Sequence, residues 1–125
     1  MSDQTQPTFP GEKYINLESY RKNGQAVATP VWFAEGEGLI YVYSLADAYK
    51  VKRIRNNPKV RVAACDFRGG LKGSWLEARA RIITGDEEGR ADALLDQKYG
   101  LMRKIGGFFT KLRGQRRAFI VIEVV

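Results

Sequence analysis

The sequence predicts a mainly β domain, a small six-stranded antiparallel barrel with one short and one longer helix. Apolar residues alternate or run together over short stretches bounded by turn residues, which is the strand pattern. Asn23-Gly24 and Glu35-Gly36-Glu37-Gly38 supply turns of the kind that join neighbouring antiparallel strands. No strand–helix–strand repeat appears, so hairpins dominate and a barrel fits better than a parallel sheet. A chain of 125 residues is long enough for one core and too short for two.

Residues 1–12 read as a flexible N-terminal arm, because Pro7, Pro10 and Gly11 block regular structure, leaving 13–125 as the barrel domain. Tyr14 to Lys22 is the first expected strand, with Ile15 and Leu17 on one face and Asn16 and Glu18 on the other. After Asn23-Gly24, Gln25 to Ala34 returns with the nearly continuous apolar run AVATPVWF, expected to be covered on both faces. Pro30 interrupts its hydrogen bonding, which implies an edge, bulge or gap. A gap beside Thr29 is a place where a flat heteroaromatic ring finds free backbone groups, and an ordinary edge strand is the plain alternative. Leu39 to Tyr43 forms the third strand.

Ser44 and a small-residue turn lead into a short helix ending near Asn57, with Asp47 or a neighbour as its cap. Val51 and Ile54 form its apolar stripe, while Lys50 and Arg53, also three apart, share another face. A strand that feeds a hydroxyl, a helix start and fixed cations is suited to holding a phosphate. Lys59 to Phe67 is the fourth strand, and the three-glycine stretch 68–73 reads as a flexible loop. Ser74 to Thr84 alternates, with Leu76, Ala78, Ala80 and Ile82 inward. The longer helix follows, burying Ala91, Leu94, Leu95 and Tyr99, and Ala118 to Val125 closes the barrel. Apolar residues on two faces of several strands suggest a wall buried against a second subunit, hence a C2 homodimer.

The net charge of +7 is concentrated. Residues 49–61 hold six basic side chains and residues 98–117 hold seven, with no acid in either block. Taking these 13 from the 21 basic residues leaves 8 against 14 acids, so the remainder of the chain carries −6. Two such blocks suggest an anionic ligand, with solvated helix faces as the alternative.

Composition also excludes chemistry. The absence of histidine removes Ser-His-Asp triads, Cys-His dyads and His-based zinc sites. No metal-ligand or paired-carboxylate spacing stands out, and no catalytic residue is assigned. The one cysteine, Cys65, reads as a small core residue and fits a reducing, cytoplasmic setting. The N-terminus lacks a basic and apolar leader, and no apolar run reaches the roughly 20 residues that span a bilayer. If the protein is an enzyme, a cofactor must carry the reaction.

TPVWF at 29–33, LIYVYS at 39–44 and KVKRIRNNPKVRVA at 50–63, in this order and spacing, resemble the flavin- and deazaflavin-binding split β-barrel family that includes the pyridoxamine 5′-phosphate oxidases. The chain is most similar to the small subgroup that uses the deazaflavin F420. The resemblance implies a homodimeric six-stranded split barrel with two cofactor sites at the interface. It implies that Ala28, Thr29, Pro30 and Val31 lie beside the tricyclic ring. Ser44, Lys50 and Arg53 then hold the cofactor phosphate, with Lys52 as a secondary candidate. Trp32, Trp75 and residues 100–113 are candidates for the substrate side.

The implied function is a hydride-transferring oxidoreductase using F420 or, alternatively, FMN, acting on a small conjugated substrate. The second basic block is a candidate receiver for the acidic tail of F420. Heme ranks behind both, since the commonest proximal ligand is missing. A non-catalytic cofactor carrier and a basic nucleic-acid-binding barrel using Tyr41, Tyr43, Tyr49 and Trp75 are the competing readings.

Overall fold

A computed structural model describes residues 7–45, 48–83, 86–99 and 117–125. Its strands are β1 (Tyr14–Tyr20), β2 (Ala26–Gly36), β3 (Leu39–Leu45), β4 (Lys59–Cys65), β5 (Leu76–Ile83) and β6 (Arg117–Val124). Helix α1 (Tyr49–Asn56) follows β3, and α2 (Asp86–Tyr99) follows β5. The strands close in the order β1-β2-β3-β6-β5-β4, every pair antiparallel.

Period-two alternation decides the interior. Ile15 and Leu17 of β1 face Val31 and Phe33 of β2, Val60 and Val62 of β4, and Ile120 and Ile122 of β6 in one continuous core. Val51 and Ile54 of α1 are buried in that same core, so the short helix caps one end of the barrel. Their three-residue spacing leaves the basic side chains outside. The expected cap Asp47 lies outside the described residues.

A second apolar layer explains why β2, β3 and β6 are apolar on both faces. Ala91 and Leu95 of α2 are fully buried with Ala34, Tyr41, Phe119 and Val121 on the outside of the barrel. This wall is therefore covered by the chain's own helix, and its two-sided apolar pattern does not by itself require a second subunit. No described helix is long and apolar enough to cross a membrane.

Three local details matter for the site. Ser44 is a strand residue, paired opposite Ala118, and not part of the turn. Asn16 and Glu18 lie on the face of β1 opposite Ile15 and Leu17, as expected, and are buried there. The stretch after β4 folds over Asn16, whose Nδ2 donates to the Gly69 carbonyl at 2.7 Å, while Arg61, opposite Glu18 in β4, donates its Nε to that carboxylate at 2.6 Å. That stretch is also tied by Asp66, whose carboxylate accepts from the N–H of Arg68 and Gly70 at 2.9 and 2.8 Å. Gly69 has φ +89°, which favours glycine, and a Cβ there would lie a tight 3.3 Å from Asn16 Oδ1. Within the expected arm, Glu35 accepts from the N–H of Thr8 and Phe9, and the Phe9 ring meets Phe33 edge-on at 5.9 Å. That half of the arm is tethered.

Candidate cofactor site at the barrel split

The ladder between β2 and β3 is short. It pairs Phe33 with Val42 and runs only to Gly36 and Leu39. Upstream, Ala26–Trp32 pairs with β1, and beyond Val42 the residues Tyr43–Leu45 pair with β6. Among the described residues the ladder between the two strands stops there, so the barrel splits.

Tyr99 of α2 marks the base of the split. Its hydroxyl accepts from the Phe33 N–H at 2.9 Å and has the carbonyls of Phe33 and Lys13 at 2.7 and 2.8 Å as acceptors for its single proton. It continues the β1–β2 ladder where Lys13 would otherwise pair with Phe33. Phe33 therefore turns its backbone groups toward β1. Alternation then turns those of Ala28, Pro30 and Trp32 toward the split. Pro30 sits where its missing N–H removes no β1–β2 bond.

The four predicted ring neighbours divide between two faces. Thr29 pairs with Leu17 and Val31 with Ile15, which places both on the inner face. Ala28 and Pro30 are exposed on the outer face, opposite Glu18 and Asn16. Thr29 Oγ1 is buried and has no hydrogen-bond partner among the described residues. An unmatched buried hydroxyl is costly, so its place beside an open seam marks the site.

Ser44 is buried on the same inner side as Val42, at the other lip of the split. Lys50 and Arg53 follow on α1. Burial and then the nearby Arg53 guanidinium push the Lys50 ammonium below its ordinary value. Arg53 is likewise lowered by burial and then by Arg21, and its Nε donates to the buried Ser19 Oγ at 2.7 Å. Among the described residues neither cation has a carboxylate partner; the four ion pairs use Arg61, Lys72, Arg81 and Arg90. Two like charges held together without an acid favour an anion.

Lys52 is exposed on the other flank of α1, its ammonium 5.5 Å from the Tyr49 ring centroid. The structure thus joins Lys50 with Arg53 and separates Lys52 from Lys50. Ser19 and Tyr99 were missed in the sequence, because their partners lie 34 and 66 residues away.

The remaining candidates are engaged elsewhere or inert. Trp32 stacks on Tyr99 at 4.7 Å and 9°, and the Arg61 guanidinium lies 4.8 Å from the Trp75 ring centroid. Burial, then Asp66, pushes the Cys65 thiol up, which leaves it protonated at neutral pH. The Lys98 ammonium lies 3.3 Å from the Phe33 ring centroid; burial pulls it down to about 8, against the attraction of Glu35 and Glu12. The rest of the second basic block, residues 100–116, lies outside the described residues. No group of three potential metal ligands occurs among the described residues.

The family model described as pyridoxamine 5′-phosphate oxidase matches residues 1–125. The chain belongs to this family. Several solved structures share its barrel. The heme storage protein HutZ of Vibrio cholerae is 15% identical, with a TM-score of 0.71 over 92% of this chain and 83% of that one. A conserved hypothetical protein of Mycobacterium tuberculosis is 20% identical, with a TM-score of 0.68 over 91% and 74%. An F420-H2 dependent reductase, FDR-A, is 16% identical, with a TM-score of 0.64 over 89% and 94%. At such identities the likeness is one of fold. No curated protein matches the sequence.

Proposed function

We propose that this family member is an oxidoreductase that binds a deazaflavin of the F420 type, or FMN, in the split between β2 and β3. The reading rests on one juxtaposition. The β2 edge that β3 leaves carries the buried Thr29 hydroxyl, β3 carries Ser44 on its inner side, and the helix that follows holds the pair Lys50 and Arg53, acid-free among the described residues, which supports placing one ligand across them. A flat ring with amide-like edges fits the first group and a phosphate fits the second, so the residues present suit such a cofactor.

In this reading the backbone edges of Ala28 and Trp32 orient the ring, and Thr29 adds a hydroxyl. Ser44, Lys50 and Arg53 hold the phosphate, with Ser19 fixing the Arg53 guanidinium. The cofactor, when bound, supplies hydride transfer to a small conjugated substrate. The chain contributes orientation and a dry inner face made by Leu17, Val31 and Val42. A homodimer with cofactor sites at its interface completes the proposal, and light scattering on the purified protein tests it.

Titration with F420 and with FMN, followed by tryptophan fluorescence, tests the reading as a whole. Tighter F420 binding assigns the deazaflavin subgroup, tighter FMN binding assigns the flavin branch, and binding of neither refutes the site. A cofactor carrier without turnover is the second reading, and the same residues would serve it. Oxidation of reduced cofactor by a panel of quinones and enones separates the two.

A further inference from the structure

The outer flank of α1 carries a feature that the split does not use. A pocket of about 350 Å³ is lined by Tyr20, Arg21 and Lys22 at the end of β1 and by Tyr49, Lys52, Arg53 and Asn56 of α1. The helical members are spaced at 0, 3, 4 and 7, which puts them on one face. Only Arg53 is shared with the split, and Thr29, Ser44 and Lys50 are not part of the lining.

Four cations converge here and none meets a carboxylate among the described residues. Arg21 bonds the neutral Gln25 side chain at 3.2 Å, Arg53 bonds Ser19, and Lys52 leans on the Tyr49 ring. The ion pairs of the described residues involve other cations. The Tyr20 hydroxyl is already given to Glu18 at 3.1 Å, so Tyr20 offers its ring rather than a donor. Tyr49 is 76% exposed, so its ring is accessible to a ligand at the pocket.

We propose that this pocket is a second ligand site, which takes an organic phosphate bearing a planar ring. Arg21, Lys22, Lys52 and Arg53 receive the phosphate, and the ring stacks on Tyr49. The volume is near the lower end of ligand clefts, which span about 300–1,000 Å³, so the occupant is of mononucleotide size rather than a dinucleotide. A bounded pocket on one helix flank also favours a small molecule over a nucleic-acid strand, which would need a continuing groove.

The test is calorimetric titration of the full chain at low salt with AMP, with inorganic phosphate and with oligothymidylates of increasing length. AMP is expected to bind at one site per chain, more tightly than phosphate, with affinity falling as salt rises. Arg21→Ala and Lys22→Ala, both exposed turn changes, should each weaken AMP by about tenfold. Tyr49→Ala should weaken AMP and leave phosphate binding unchanged, and Lys50→Ala should alter neither. Absence of AMP binding, or equal affinity for AMP and phosphate, overturns the proposal. Loss in Lys50→Ala without loss in Arg21→Ala places AMP in the cofactor split and also overturns it. Affinity that grows with oligothymidylate length assigns the flank to nucleic acid instead. Failure of F420 and FMN to bind refutes the split reading and leaves this proposal standing.

Discussion

Strand β3 has two seams, and they differ. Toward β6 it is paired from Ile40 to Leu45, while toward β2 pairing stops at Val42. The β6 seam lies under α2, where Tyr41, Phe119 and Val121 are buried, so its backbone groups must pair with each other. The β2 seam opens where Pro30 has no N–H to offer. A sealed seam stabilises the fold. An open one leaves backbone groups and the Thr29 hydroxyl for a ligand.

The largest effect that tests this contrast is on the sealed side. Phe119→Ala should cost about 3–5 kcal/mol in denaturant unfolding, the usual range for removing a buried ring. A loss comparable to that of an exposed residue would mean the α2-covered wall is not what holds the barrel.

At the base of the split, Tyr99→Phe should cost about 1–3 kcal/mol by the same measurement, because it leaves the buried backbone N–H of Phe33 unmatched. At the mouth, Lys50→Ala should weaken cofactor binding by about 1–3 kcal/mol. It should leave the melting temperature of the ligand-free protein unchanged or raised, since a partly desolvated cation has gone. Arg53→Ala should lower both, as the fully buried Ser19 hydroxyl loses its partner. Equal behaviour of the two variants would break the distinction between ligand contact and internal support.

Thr29→Val is smaller and sharper. Removing a buried, unmatched hydroxyl while keeping the side-chain shape should leave the ligand-free protein as stable or slightly more so. Cofactor affinity should fall by about 0.5–1.5 kcal/mol, one ordinary hydrogen bond. A clear loss of ligand-free stability would show that the hydroxyl has an internal role.

The smallest effect is one of pH, away from both seams. The hydrogen bond from Arg61 holds Glu18 below its ordinary value of 4.5, so the unfolded chain binds more protons in acid than the native one. The stability this pair contributes is present above about 4.5 and is lost as pH falls through the lower native value. Glu18→Gln should flatten the acid limb of a melting-temperature profile, and an unchanged limb would assign acid sensitivity to other carboxylates.

Periodicity and turn chemistry account for what the sequence alone determined. Alternation in 76–82, the Asn23-Gly24 turn, and Val51 with Ile54 each state a local preference that tertiary structure did not override. The proximity of Lys50 to Arg53 was legible for the same reason, because a helix fixes neighbours three residues apart. Only the tertiary structure decided where β2 leaves β3, since Pro30 alone is compatible with any edge or bulge. It also decided that Ser19 supports Arg53, that Tyr99 splices the β1–β2 ladder, and that α2 covers the apolar wall that composition would have given to a partner. Each of these joins residues far apart in the chain, and register and packing between distant segments follow from closing the whole barrel, not from any local pattern.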